Sequence, residues 1–370
     1  VLVSAITLIP MEARAQQGGL RPGEGFVTRF SGVTTTAGPQ GAVPVLDPQG
    51  TVGSILDLRN PGRPPEGRHW LNEPQRAPVA AQDVGQIFGV ALDDARPPNI
   101  YVTATSAFGL HRTPDNRDWA RGMWGPGGPG AVYRLEAADG YRPRLFARIA
   151  VNGRANTGAA LGNIAFDRAN RQFFVSDLET GMIHRIGLDG SDRGFYDHAG
   201  RGRLGFADPT AQGRQSLPPI AFPPETRAQI NDCQPLTQGG TFETSPECWN
   251  FAPSGRRIWG LGVAQLGPSD VRLFYSVVSG PAFGEEGWAK LSEEEKRNAV
   301  WSVRLGPDGA PDESDVRREA IVPDFFQDPE DIARAGYSHP VSDITFPTCG
   351  TNKPVMLVAE RGGIRNLGLG

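Results

Sequence analysis

Few residues in this chain are typed and spaced for chemistry. There are five histidines, His69, His111, His184, His198 and His339, and none falls in HxH or HExxH spacing, so a zinc hydrolase has no motif. No GxSxG marks a nucleophile elbow. There is no P-loop, and Gly260-Leu261-Gly262 lacks the third glycine of a dinucleotide fingerprint. No stretch matches a calcium-binding EF-hand loop. Cys233 and Cys248 bracket a polar loop without CxxC pairs or a neighbouring histidine, which predicts a loop-pinning disulfide rather than a metal site. Such a crosslink is worth roughly 3 kcal/mol in the chain-entropy model. Cys349 is left without a partner in this pairing.

The elements that must carry any site are strands. Gly (48) and Pro (33) make up 81 of 370 residues, about 22%, which leaves little room for long helices. A 38% hydrophobic fraction with 18 Phe and 7 Trp supplies a core, so the expectation is a turn-rich all-β protein rather than disorder. The formal charge of -4 gives no basic excess for nucleic acid, and no apolar stretch predicts a membrane span. At the N-terminus an apolar run, 1–9, and Ala13-Arg14-Ala15 resemble the end of a secretory signal. Residues 1–15 are therefore read as a signal remnant and 16–25 as a linker. The chain is expected to act outside the cytoplasm, in a periplasmic or extracellular compartment.

One strand signature recurs: two large apolar residues and then a small one. It stands at Phe26-Val27-Thr28, Tyr101-Val102-Thr103, Phe174-Val175-Ser176, Phe274-Tyr275-Ser276 and Leu357-Val358-Ala359. A nearly all-apolar strand precedes the last four, FGVALD (88–93), GNIAFD (162–167), GLGVAQ (260–265) and SDITFP (342–347). A third, alternating strand follows each, and Asp-Gly turns (Asp139-Gly140, Asp189-Gly190, Asp308-Gly309) lead into a fourth. The pattern predicts A-B-C-D antiparallel meanders over 26–370, all-β, in a β-propeller of about five units. The alternating C strand is expected to be half exposed, His184 with it. The last copy, IRNLGLG (364–370), stops inside strand C. The expectation is a propeller that continues past Gly370, or else one completed by 26–59.

The runs FFVSDLETGMIHRIGLDG (173–190) and GNIAFDRANRQFFVSD resemble NHL or YVTN-type blades, in the superfamily that includes SMP-30 gluconolactonases and strictosidine-synthase-like proteins. The resemblance implies a propeller and no particular activity. SMP-30 relatives hold a metal over the central channel. Here the matching positions are Phe88, Gly162, Leu261 and Ser342, followed by Gly89, Asn163, Gly262 and Asp343, a poor ligand set. A metal-dependent lactonase is therefore the alternative reading. No cofactor is expected, a divalent cation being the one candidate.

Long B–C connections (32–51, 107–130, 280–298) and D–A connections (60–86, 200–257, 323–340) fall at one end of an up-and-down meander. The leading reading is a binding or scaffold module for a protein, glycan or surface component, acting through that face. Candidate residues are Asn163, Asp177, Glu179, Asp343, Glu360 and Arg361 at the channel rim, and Trp119, Trp124 and Trp288 in the long loops. The polar set either binds a ligand or hydrogen-bonds neighbouring units, and the tryptophans either stack on a partner or fill small cores. Ser292-Glu293-Glu294-Glu295 predicts a capped helix within 285–299, and Asp328-Pro329 to Gly336 a second.

Overall fold

Short β-rich segments cut by glycine turns fold into a series of antiparallel sheets. The computed structural model describes residues 18–38, 41–59, 75–106, 119–151, 153–220, 252–253, 255–280, 286–347 and 355–361. The cysteines, the N-terminal apolar run and IRNLGLG lie outside the described residues.

Two sheets are plain four-stranded meanders. Unit 2 runs Ile87–Leu92, Ile100–Ala104, Ala131–Leu135, Pro143–Arg148, and unit 3 runs Leu161–Asp167, Gln172–Asp177, Ile183–Gly187, Asp192–Tyr196. Unit 4 repeats the order with Arg257–Gly267, Asp270–Val278, Ala299–Leu305 and Pro311–Ile321. Its outer edge is extended by Phe206–Ala207, which pairs parallel to the fourth strand, and by Arg214–Gln215. Unit 5 has Val341–Thr345 paired with Leu357–Glu360. Unit 1 has Glu24–Thr28, Thr51–Asp57 and Gln75–Ala80, with no inner strand among the described residues. The Asp-Gly turns form as expected, Gly140, Gly190 and Gly309 each taking a positive φ.

Successive sheets stack face to face, and each core lies between two of them. Val52, Ile55 and Val79 of unit 1 meet Ile87, Ile100 and Val102 of unit 2. Tyr101 and Val132 of unit 2 meet Ile164, Phe173 and Val175 of unit 3. Phe174 and Ile183 meet Leu261, Leu273 and Trp301 of unit 4, and Phe274 and Val300 meet Val341 and Ile344 of unit 5. Neighbouring residues of one strand thus enter different cores, which is why the inner strands are apolar almost throughout.

The small residue of the recurring triplet has a specific task. The hydroxyl of Thr28 donates to the carbonyl of Phe88 (3.0 Å), Thr103 to Gly162 (2.7 Å), Ser176 to Trp259 (2.9 Å) and Ser276 to Val341 (2.7 Å). Each bond crosses from the second strand of one unit to the inner strand of the next. Three of these hydroxyls also accept an N–H from their own inner strand: Gly89 to Thr103, Asn163 to Ser176 and Gly260 to Ser276. Glycine lets the inner strands approach that closely: a Cβ on Gly89 would stand 2.7 Å from the Gly162 carbonyl, and one on Gly262 2.7 Å from that of Ile344.

The structure corrects several expectations. The connection 60–86 contains the fourth strand of unit 1, Gln75–Ala80, and the loop 32–51 contains a hairpin, Val33–Gly38 with Gly41–Leu46. The third strands are buried rather than half exposed, because the sheets on either side cover both faces, as with Tyr133 against unit 1 and Val132 against unit 3; exposure falls on the fourth strands instead. His184 is accordingly buried. The helix in 285–299 is Glu286–Ala289, ahead of the capping box, whose Ser292–Glu295 bonds close only a turn. The second helix, Pro329–Ala335, forms with Asp328 as N-cap and Gly336 as its stop. Of the stretch read as a linker, residues 18–20 are docked: Leu20 N–H donates to the Tyr141 hydroxyl, and Arg76 donates to the carbonyls of Gly18 and Gly19.

Removing a bridging hydroxyl leaves a buried carbonyl and a buried N–H without a partner, which costs about 1–3 kcal/mol. Ser176→Ala and Ser276→Ala should each lower the unfolding free energy by that amount, read as a lower urea midpoint with the denaturant dependence unchanged. An unchanged midpoint would remove the bridges from the energetic account.

Candidate functional site

Four inner strands surround a cavity of about 230 Å³, with walls formed by Val90, Ala165, Phe166, Val263, Ile344 and Phe346 among others. It occupies the half of those strands nearer the short A–B hairpins. Asp343 and Thr345 are its exposed polar side chains. Asn163 and Asp343, 180 residues apart in sequence, meet here, the Asn163 Nδ2 donating to Asp343 Oδ1 at 2.7 Å and to the Ser342 carbonyl at 3.2 Å. The Ile344 N–H donates to the same Asp343 oxygen at 2.9 Å. Asp343 has no ion-pair partner among the described residues. Its surroundings of protein raise its pKa, and the Asn163 and Ile344 bonds pull the other way without cancelling that. Asp343 is open toward the cavity while protein crowds its other sides, so its exposed surface and its desolvation are compatible.

This arrangement does not fit a shared metal ion. The Asn163 amide nitrogen, not its oxygen, faces Asp343, and the oxygen is turned back to the backbone of its own strand, accepting from Ile164 N–H at 2.7 Å. No cluster of three metal-ligating side chains occurs among the described residues.

The remaining rim candidates are separate. Asp177 and Glu179 are buried in a tight turn: Asp177 accepts from Asn156 Nδ2 (2.8 Å), Thr180 Oγ1 (2.7 Å) and Glu179 N–H (2.9 Å). Glu179 accepts from the N–H (2.5 Å) and hydroxyl (3.0 Å) of Thr157. His184 Nε2 lies 3.6 Å from Asp177. Those contacts pin the 153–160 connection to the sheet. Glu360 and Arg361 end the exposed strand of unit 5, and the Arg361 guanidinium lies over the rings of Phe30 and Phe88, joining unit 5 to units 1 and 2. Burial lowers its pKa.

The tryptophans pack inward. Trp124 stands edge-on to Trp119 at 5.7 Å, against the unit 1–unit 2 core. Trp288 is 8% exposed, packed near Tyr337 with Lys296 over its ring. Among the described residues of the long connections, Phe325 is the strongly exposed aromatic, 65% exposed, in the D–A connection leading to unit 5. Phe326 and His339 stand at 5.0 and 4.9 Å from its ring. The adjacent Phe325-Phe326 pair in a long connection was the available sequence signal.

Around this cluster the long connections are braced to one another. Arg297 forms a two-pronged pair with Asp324 (2.9 and 3.1 Å) and stacks on Tyr337 at 4.2 Å. Tyr337 donates to Glu293 at 2.7 Å. Glu294 pairs with Arg318 and Glu295 with Arg203. The three consecutive glutamates thus tie the 286–298 connection to three other segments. Hydrogen bonds from Lys296 and Tyr337 hold the Glu293 carboxyl below its usual range.

No family model matches the chain, and no curated protein matches it. Among solved structures it is similar to a virginiamycin B lyase from Staphylococcus aureus, at 8% identity and TM-score 0.29, over 91% of this chain and 88% of that one. It is also similar to the PQQ-bound form of an aldose sugar dehydrogenase from Streptomyces coelicolor, at 10% identity and TM-score 0.25, over 91% of this chain and 98% of that one. Likeness at this level transfers neither activity nor substrate.

The Asp343 environment has a pH signature. A carboxyl whose pKa is raised on folding holds its proton more tightly in the folded chain. Stability from this group is therefore greatest at low pH and falls as pH rises from the ordinary carboxylate value through the folded one. Asp343→Asn keeps an acceptor for Asn163 and Ile344 N–H. It should match or exceed the wild-type chain in thermal stability at pH 7 and flatten that fall. A clear loss at pH 7 would show the charge to be stabilising.

Proposed function

We propose that this chain is an exported β-propeller that binds a protein, a glycan or another cell-surface component through the face bearing its long connections. The propeller reading is supported by sheets stacked in sequence order, with their first strands side by side around a central cavity. The observation that carries the binding reading is the bracing of that face. Connections this long are uncommon without a role. Here they are held by paired charges and aromatic contacts around an exposed phenylalanine, so a partner meets a preorganised surface and little ordering cost is left to binding. The buried tryptophans act beneath this surface, as its supports.

No helix among the described residues is long and apolar enough to cross a membrane. Export is inferred from the signal-like N-terminus.

Screening the purified full chain on a glycan array and against a panel of extracellular-matrix and envelope proteins tests the proposal. Phe325→Ala should weaken any ligand found by at least about tenfold, the scale of an aromatic anchor. It should leave the unfolding free energy from urea denaturation within about 0.5 kcal/mol of wild type, as for an exposed site. A ligand bound equally by wild type and Phe325→Ala would place the binding surface elsewhere, and no binding on either panel would count against the module reading.

A further inference from the structure

The segment that leaves unit 3 and returns toward unit 4 is rooted on a buried histidine. His198 opens a tight π-turn, His198–Gly202, and is 1% exposed. Its Nδ1 shares a 2.7 Å hydrogen bond with the hydroxyl of Tyr275, which lies 3.2 Å from that of Tyr196. The imidazole stands edge-on to Tyr275 and Trp301, with ring centroids at 5.1 and 4.6 Å. From this root the chain runs out to Phe206, which packs on Trp301 at 4.6 Å, and Ala207 pairs with Arg317 on the outer strand. It then comes back on itself: Leu217 N–H donates to the Arg203 carbonyl, and Ile220 N–H to that of Ala199.

Among the described residues, the charges around His198 leave no compensation for a proton. Arg203, on its own segment, and Arg256, at the entry to unit 4, both face it. Asp197 is already paired with Arg256 at 2.9 Å and Glu295 with Arg203. On the outer strand Arg318 is matched by Asp208 and Glu294. Tyr196 and Tyr275 are held protonated by burial, so neither supplies a negative charge. Burial first, and then the two guanidiniums, lower the His198 pKa well below its ordinary value.

We propose that His198 is an acid-sensitive latch: it holds the 198–220 segment against unit 4 while neutral, and its protonation in the opened state releases that segment. An imidazolium between Tyr275 and Trp301 would be a third cation in a dry pocket, whereas in the opened segment it is hydrated and titrates normally. The sign follows. Stability of the latched form is full above the ordinary histidine pKa and is lost as pH falls below it, by about tenfold in the opening equilibrium per pH unit below ~6.5. Opening withdraws Arg203 from Glu295 and so loosens the 286–298 connection. A partner bound to the long-connection face would then be released on acidification. This consequence rests on the binding reading above, and the opening itself does not.

Hydrogen exchange on the full chain between pH 7.5 and 5.0, corrected for the intrinsic pH dependence of exchange, tests the latch without any partner. Peptides within 203–220 should open about tenfold more per pH unit below ~6.5, while peptides from 257–278 keep their protection. His198→Gln should abolish the slope. A flat wild-type profile, or a slope retained in His198→Gln, overturns the proposal. Should that variant not fold, the onset in the wild-type chain decides: a rise starting near pH 6.5 supports the latch, and one starting only below about pH 4.5, where carboxylates titrate, overturns it.

Discussion

One interaction sets the spacing of the whole molecule: a serine or threonine hydroxyl on the second strand of a unit donating to a backbone carbonyl on the inner strand of the next. It occurs from Thr28, Thr103, Ser176 and Ser276, over 2.7–3.0 Å. Inner strands are edge strands, and they pair on one side only. Their other backbone groups need partners or water. The hydroxyls satisfy part of that demand from the neighbouring unit and so couple backbone satisfaction to the stacking of sheets. With the inner strands fixed, the cores between sheets, the central cavity and the bases of the long connections are fixed too. In unit 5 the equivalent residue is Ala359, and no hydroxyl bridge can leave it. There Arg361, lying across Phe30 and Phe88, makes the link toward units 1 and 2.

The repeat was legible because these bridges constrain composition locally. Two apolar residues must enter two different cores and a small hydroxyl must follow, so the triplet recurs. Its cause was not legible, since the acceptors lie 59 to 83 residues away. The outer strand of unit 1 was missed for the opposite reason. Gln75–Ala80 carries Pro78 and little apolar patterning, and pairing with Thr51–Asp57 rather than propensity makes it a strand. The third strands misled in turn: the alternation at Tyr133 and Leu135 and at Ile183 and Arg185 suggested a half-exposed face, but a long arginine stem such as that of Arg185 tolerates partial burial.

The candidate site was partly legible. Register placed Asn163 and Asp343 at equivalent inner-strand positions, and the fold brings them into contact. What the sequence could not separate was a polar residue facing the cavity from one that stitches a turn. Asp177 and Glu179 have the same chemistry as Asp343, but their hydrogen bonds are taken by Asn156, Thr157 and Thr180. Among the described residues of the long connections the exposed aromatic is Phe325, while Trp119, Trp124 and Trp288 fill the space beneath the loops.

The most direct measurement of the account is residue-resolved exchange of the Asn163 and Gly260 amides, which donate to Ser176 and Ser276 at 2.8 Å each. If hydroxyl bridges fix the inner strands, these two amides exchange only through global unfolding, with an opening free energy equal to the stability from urea denaturation. Exchange at the rate of the exposed connections would contradict it.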